Sequence, residues 1–305
     1  MNPPAIAAAD IALERSKKAR PPGWAPPGPR PRGSEGRPEL SPGPDEEHSF
    51  LTGDFRIFQR KRGHRWSLDD FITGFVALEE ADAQAGTARA LDLGCGIGSV
   101  LMMVAWGLPS VRSVGVEAQE VSIAMARRSL AYNGLDDRVE LRHGDLRDEA
   151  VLHERGAFDL VTGTPPYIPH GQGLVSDTVQ RGPCRFETRG GVEDYALAAA
   201  RVLAPGGVYV SCAGTMPECR LDRALEAAGL AAYRRVEVVP KIGKPVLMVV
   251  HAAVREHELA SRGGARPIEQ FVVRDEDGGL TPDMHRARAR LGMPPLGERR
   301  SPTTG

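Results

Sequence analysis

Three stretches of this 305-residue chain carry residue types whose spacing could do chemistry. In the first, Ala88 to Ser99, an apolar segment reaches Asp92 and runs into Gly94-Cys95-Gly96-Ile97-Gly98. Glycine at every second position lets the backbone take positive φ and approach a ligand closely, as a strand-to-helix nucleotide turn requires. A plain tight turn has the same composition. The third glycine of a dinucleotide fingerprint is missing, with Ser99 in its place, which counts against a nicotinamide dehydrogenase. The second stretch holds two acids. Glu117 lies about 20 residues past the glycines, where a carboxylate can accept from both ribose hydroxyls. Asp145, in Gly144-Asp145-Leu146, can accept from an adenine exocyclic amine while a neighbouring backbone N–H binds a ring nitrogen. Either acid alone also reads as a helix cap or a turn residue; together they fit an adenosyl ligand. The third stretch, Thr164-Pro165-Pro166-Tyr167, is a stiff turn ending in an aromatic ring.

These residues need a scaffold that brings them to one edge. From Ala88 onward the pattern of strand, turn and helix repeats, which argues for an open, mostly parallel sheet with helices on both faces. Strands are expected at Ala88 to Leu93, Arg112 to Glu117, Val139 to His143, Phe158 to Thr162 and Gly207 to Cys212. Helices are expected at Val100 to Trp106, Val121 to Asn133, Glu193 to Leu203 and Arg220 to Ala228. Tyr233 to Val239 and Val246 to Val254 are joined only by Pro-Lys-Ile-Gly-Lys-Pro, too short for a crossover helix, so they must pair antiparallel. In such a sheet ligands bind beyond the carboxyl ends of the strands, where all three stretches fall.

A parallel sheet closed by an antiparallel edge hairpin resembles the class I S-adenosylmethionine-dependent methyltransferases. That resemblance implies an α/β, Rossmann-like fold with a seven-stranded, mostly parallel sheet, and S-adenosyl-L-methionine as the cofactor. It implies contacts from Asp92, Gly94, Cys95, Gly96 and Gly98 to the methionine end, and from Glu117, Ala118, Asp145 and Leu146 to the adenosine. Thr164-Pro165-Pro166-Tyr167 is similar to the Asn/Asp/Ser-Pro-Pro-Tyr/Phe motif of amino-methyltransferases. There the first side chain and a main-chain carbonyl hold the hydrogens of a planar amine, and the aromatic ring stacks on the substrate. Two acceptors so placed favour the pyramidal, more nucleophilic nitrogen of the transition state. Thr164 stands where asparagine is expected for adenine-N6 and glutamine-N5 transfer; its hydroxyl accepts one hydrogen bond from a shorter side chain.

The flanks narrow the resemblance over residues 53–285. The basic Gly63 segment before Ser67-Leu68-Asp69-Asp70, together with Val116-Glu117-Ala118-Gln119, Asn133-Gly134, Arg274 to Gly278 and Thr281-Pro282, is similar to bacterial tRNA adenine-N6 methyltransferases that act beside the anticodon of a valine tRNA. RNA guanine-N2 and protein glutamine-N5 enzymes share most of these motifs. The expectation is therefore an enzyme that methylates N6 of a flipped-out adenine in tRNA or another structured RNA. The alternatives are a protein glutamine-N5 methyltransferase and a SAM-binding, RNA-binding module that has lost catalysis at Thr164.

Formal net charge is −1, so a nucleic-acid partner must be met by local patches. Candidates are Arg60, Lys61 and Arg65 in a charged turn after the alternating segment Asp54 to Gln59, Arg181, Arg185 and Arg189 in the loop 168–191, and Lys244 in the final hairpin. The charged turn reads equally as a solvated hairpin tip. Ser67 is the expected N-cap of the helix that follows, with Asp70 at its third position. Residues 1–47, rich in Pro and Arg, are expected to form a disordered tail, residues 48–256 the methyltransferase domain, and residues 257–305 a partly disordered extension. The four cysteines show neither C-x-x-C pairing nor zinc spacing, so no metal is expected. With no leader-like or membrane-length apolar run, a cytoplasmic protein is expected.

Overall fold

The computed structural model describes residues 21, 23–63, 65–84, 86–166 and 189–295. An N-terminal hairpin, β1 (Glu46–Phe50) and β2 (Arg56–Arg60), precedes helix α1 (Leu68–Ala83). The alternating part follows as β3 (Arg89–Leu93), α2 (Ser99–Gly107), β4 (Arg112–Glu117), α3 (Glu120–Asn133), β5 (Val139–His143) and β6 (Phe158–Gly163). From residue 192 come α4 (Val192–Val202), β7 (Leu203–Gly214), α5 (Arg220–Ala227), β8 (Leu230–Val239), β9 (Met248–Arg255), β10 (Glu269–Val272) and α6 (Pro282–Arg290).

The main sheet has the order β10-β8-β9-β7-β6-β3-β4-β5. From β7 to β5 every pair is parallel, whereas β9 runs antiparallel between β7 and β8, as its short connection demands. Two apolar clusters cover the faces. One joins α1, α2 and α3 to the sheet, the other α4 and α5. The inner strands are apolar on both sides, as a doubly covered parallel sheet requires. None of the described helices is long and apolar enough to cross a membrane.

Three expectations need correction. The sheet has eight strands rather than seven: β10 adds in parallel to β8, with Phe271 opposite Val238. Four residues carry little periodicity of their own. Phe271 is placed instead by packing on Phe75 of α1, with ring centroids 6.0 Å apart.

The charged turn is also not a hairpin tip. The hairpin closes at Leu51 to Phe55, through Leu51 N to Phe55 O at 3.0 Å and Phe55 N to Thr52 O at 2.8 Å. Arg60 to Arg65 instead link β2 to α1.

The tail boundary at residue 47 falls inside β1, and the preceding residues lie along α3. Gly33 N donates to Tyr132 O at 2.9 Å, Arg128 Nη1 forks onto the Glu46 carboxylate at 2.8 and 2.9 Å, and Leu40 is buried. This segment is ordered by contacts with another element, which composition does not report. His48 stacks on Phe58 at 4.3 Å, and burial beside Arg56 and Arg128 pushes its pKa down to about 3. The C-terminal part closes over the same region, where Leu291 O accepts from Thr52 Oγ1 at 2.6 Å and Gly53 N at 3.2 Å.

One buried polar network ties α1 to the far edge of the sheet. Arg234 on β8 donates to Glu80 at 2.9 Å, Glu79 at 2.8 Å and Glu269 at 2.8 and 2.9 Å, and Tyr233 Oη donates to Glu80. Glu80→Leu leaves a buried guanidinium and hydroxyl short of an acceptor. Urea unfolding is expected to show a loss of about 3 kcal/mol, with Glu80→Gln costing clearly less.

Candidate active site

A cleft of about 640 Å³ opens at the carboxyl ends of β3, β4, β5 and β6, within the size range of small-ligand sites. Its floor is the glycine turn. Gly94, Gly96 and Gly98 all take positive φ, +60°, +56° and +89°, and Gly98 forms the N-cap of α2. A Cβ built on Gly94 would stand 1.9 Å from Tyr195 Oη, so any side chain there collides with a buried ring. Gly94, Cys95 and Gly96 line the cleft, and Gly98 does not. Burial pushes the Cys95 thiol well up, which suits a packing residue and not a thiolate.

Asp92 does not line the cleft either. It lies beneath the turn, 3% exposed, with Oδ2 accepting from Leu101 N at 3.1 Å and Oδ1 from Thr162 Oγ1 at 2.8 Å. Its placement is that of a brace joining β3, the first turn of α2 and β6. Burial raises its pKa to about 7 against the opposing effect of the Thr162 hydroxyl.

Glu117 at the end of β4 accepts from Gly96 N at 2.9 Å and from Gln119 N at 2.6 Å while facing the cleft beside Ala118. A carboxylate so held keeps lone pairs for two hydroxyls. Asp145 and Leu146 line the same wall. Arg147 forks onto Asp145, with Nε to Oδ1 at 2.8 Å and Nη2 to Oδ2 at 2.6 Å, and this hydrogen bonding holds the Asp145 carboxyl below its usual range.

The opposite wall comes from the start of α1, which sequence reading assigned only a cap. Ser67 N donates to Asp70 Oδ2 at 2.9 Å, as the capping pattern requires, but Asp70 Oδ1 also accepts from Ser99 Oγ at 2.9 Å. The residue in place of the third glycine thus locks α1 onto α2. Burial, aided by the adjacent Asp69 charge, raises the Asp70 pKa. Trp66, Asp69, Asp70, Ser99 and Tyr195 all line the cleft and were missed as site residues; Asp69 and Asp70 carried only a capping signal and Ser99 only the break in the glycine pattern.

Thr164, Pro165 and Pro166 follow β6 directly into the cleft. Tyr167, Arg181 and Arg185 lie outside the described residues. The basic candidates do not form one set. Arg65 and Arg189 line the cleft, Arg65 also pairing with Glu47 at 2.5 Å, whereas Arg60 and Lys61 do not, and Lys61 Nζ donates to Pro44 O at 2.8 Å. Lys244 is exposed on the β8–β9 connection, away from the cleft lining.

Gly94→Ala is expected to weaken S-adenosylmethionine binding in calorimetry by about tenfold or more, because the new methyl must displace Tyr195 and adopt a disfavoured φ. Asp92 also sets a pH dependence. A carboxyl near 4 in the unfolded chain and near 7 in the fold takes up a proton on folding between those values. Its contribution to stability therefore falls as pH rises from about 4 to about 7 and is flat above. Urea midpoints from pH 5 to 8 should show wild type losing stability relative to Asp92→Asn over that window.

Residues 90–172 match the family model described as a methyltransferase domain. A release factor glutamine methyltransferase of Caulobacter vibrioides is 31% identical over 169 residues, 52% of this chain and 56% of that protein. A tRNA1(Val) (adenine(37)-N6)-methyltransferase of Porphyromonas gingivalis is 28% identical over 52% of this chain and 62% of its own length. The namesake from Tolumonas auensis is 25% identical over 77% of this chain and 93% of its own length. The chain thus spans little more than half of several curated relatives that it matches. Among solved structures, a predicted O-methyltransferase of Agrobacterium tumefaciens superposes with a TM-score of 0.51 at 18% identity, covering 74% of this chain and 98% of that one. Residues 90–172, which hold the glycine turn, Glu117, Asp145 and the Thr164 turn, thus match a methyltransferase domain, and the fold is shared with that solved structure.

Proposed function

We propose that the chain transfers the methyl group of S-adenosylmethionine to a planar nitrogen, namely N6 of an adenine in tRNA. The observation that carries the reading is the Thr164-Pro165-Pro166 turn, which leaves β6 and enters the same cleft as the glycine turn. An acceptor nitrogen held there faces the methionine end of a cofactor seated on Gly94 to Gly96. A relative that aligns along 93% of its own length carries an adenine-N6 name, which supports adenine over glutamine.

In this reading Gly94, Cys95 and Gly96 receive the amino-carboxylate end, Glu117 the ribose hydroxyls, and Asp145 with the Leu146 backbone the adenine. The cofactor supplies a sulfonium methyl that is already electrophilic, so the protein's task is orientation. The Thr164 hydroxyl accepts one amine hydrogen and a main-chain carbonyl of the turn accepts the other. Both bonds strengthen as the nitrogen becomes pyramidal, so they lower the barrier more than they tighten binding. The nitrogen lone pair would form the bond to the methyl carbon as the sulfonium carbon–sulfur bond breaks, its electron pair staying on sulfur as a neutral thioether, and the nitrogen would then lose one proton to solvent. Tyr167 is assigned to stack on the base, and Arg65, Arg189, Arg181 and Arg185 to its flanking phosphates. Arg60, Lys61 and Lys244 are assigned to RNA further from the cleft.

Unmodified tRNA transcripts incubated with labelled S-adenosylmethionine should yield N6-methyladenosine by nucleoside mass spectrometry. Label in a glutamine-containing release-factor peptide alone would replace adenine by glutamine, and cofactor binding with no transfer to either would mark a non-catalytic module. Thr164→Val, which keeps the shape and removes the acceptor, is expected to lower kcat by about tenfold or more with cofactor affinity unchanged.

A further inference from the structure

We infer that Trp66 is a second stacking platform for the acceptor's planar ring, in addition to Tyr167, with Arg65 beside it for the acceptor's phosphate. The inference rests on the adenine reading above and deepens it, because it makes the site one for nucleotides. An amide side chain would use neither residue.

Trp66 shares the cleft with the turn proposed to hold the acceptor. Helix α1 packs across β6, β7 and β9, and its first turn faces the cleft and meets Ser99 at the start of α2. Residues just ahead of α1 line the cleft together with Thr164, which follows β6. The acids assigned to the cofactor's ribose and adenine follow β4 and β5, on the other side of β3 in the strand order. Trp66 is half-buried: part of the indole packs on the core, and the residue also lines the cleft.

The segment is held there by a small domain element with no other evident part in the site. Trp66 N donates to Gln59 Oε1 at 3.3 Å. Gln59, 1% exposed, donates from Nε2 to Glu47 Oε1 at 2.8 Å and to Ser49 Oγ at 2.9 Å. Arg65 Nη2 reaches the same Glu47 oxygen at 2.5 Å. Both strands of the β1–β2 hairpin thus converge on Arg65 and Trp66 and fix their backbone against the cleft. A guanidinium has five donors, so the pair with Glu47 leaves others for a phosphate. An aromatic face with a neighbouring cation is the pairing that binds a base and its backbone together.

The test uses the full chain and a fluorescein-labelled oligoadenylate, followed by anisotropy. Trp66→Ala is expected to weaken binding by about tenfold or more, and Trp66→Phe, which keeps a ring, by no more than about threefold. Calorimetric affinity for S-adenosylmethionine should stay unchanged in both variants. Oligoadenylate binding in W66A equal to wild type would overturn the inference and leave the adenine reading standing. A parallel loss of cofactor affinity would also overturn it, by placing the indole against the cofactor. Wild-type protein that binds no oligoadenylate yet methylates the release-factor peptide would take down the adenine reading and the inference together.

Discussion

The site depends on one buried carboxyl, Asp92. From the end of β3 it accepts from the first turn of α2 through Leu101 N and from β6 through Thr162 Oγ1. Three elements that must agree in position are thereby referred to a single group. Thr162 stands two residues before Thr164, so the carboxyl that braces the start of α2 also holds β6 just before the Thr164-Pro165-Pro166 turn. Hiding an acid at this point is unfavourable, as its raised pKa shows, and the two donors offset that penalty. The start of α2 and the strand that leads into the Thr164 turn are referred to one carboxyl.

The glycine turn answers the same constraint from above. With Asp92 drawing the backbone down, the chain must reverse within a few residues to start α2, and Gly94, Gly96 and Gly98 take the positive φ that the reversal needs. The space over Gly94 is filled by Tyr195 from α4, so the helix that follows the acceptor loop also touches the turn. Glu117 then stitches the turn to β4 through Gly96 N. The Glu117 contact uses a backbone N–H that a tight turn leaves unpaired and puts an acceptor at the cleft wall.

The remaining wall is supplied from a distance in sequence. Asp70 both caps α1 and accepts from Ser99, which converts a local helix-start signal into a tertiary lock between α1 and α2. Through that lock the N-terminal hairpin gains a place at the site, because Gln59 and Glu47 hold the segment that leads into α1. Arg65, Trp66 and Ser99 thus line one cleft, although α1, β3 and the glycine turn lie between them along the chain.

The alternation of strands and helices from Arg89 to Val254, the antiparallel last pair, the glycine turn and the acids after β4 and β5 were legible in the sequence. Each depends on short-range spacing, and short-range spacing is what periodicity records. The rank of the acids was not legible: Asp92 and Glu117 are alike on paper, yet one is buried beneath the turn and the other faces the cleft. Nor were β10, the ordered segment before β1, or the entry of Trp66 and Asp70 into the site. All of these are held by partners far along the chain, Phe271 by Phe75, Gly33 by Tyr132, Trp66 by Gln59 with Glu47, and Asp70 by Ser99. The sequence by itself determined the strand–turn–helix repeat and the chemistry available at its ends, because those follow from neighbours a few residues apart. Only the tertiary structure decided which of those groups face the same space, because burial and hydrogen bonding between distant segments set where each side chain finally lies.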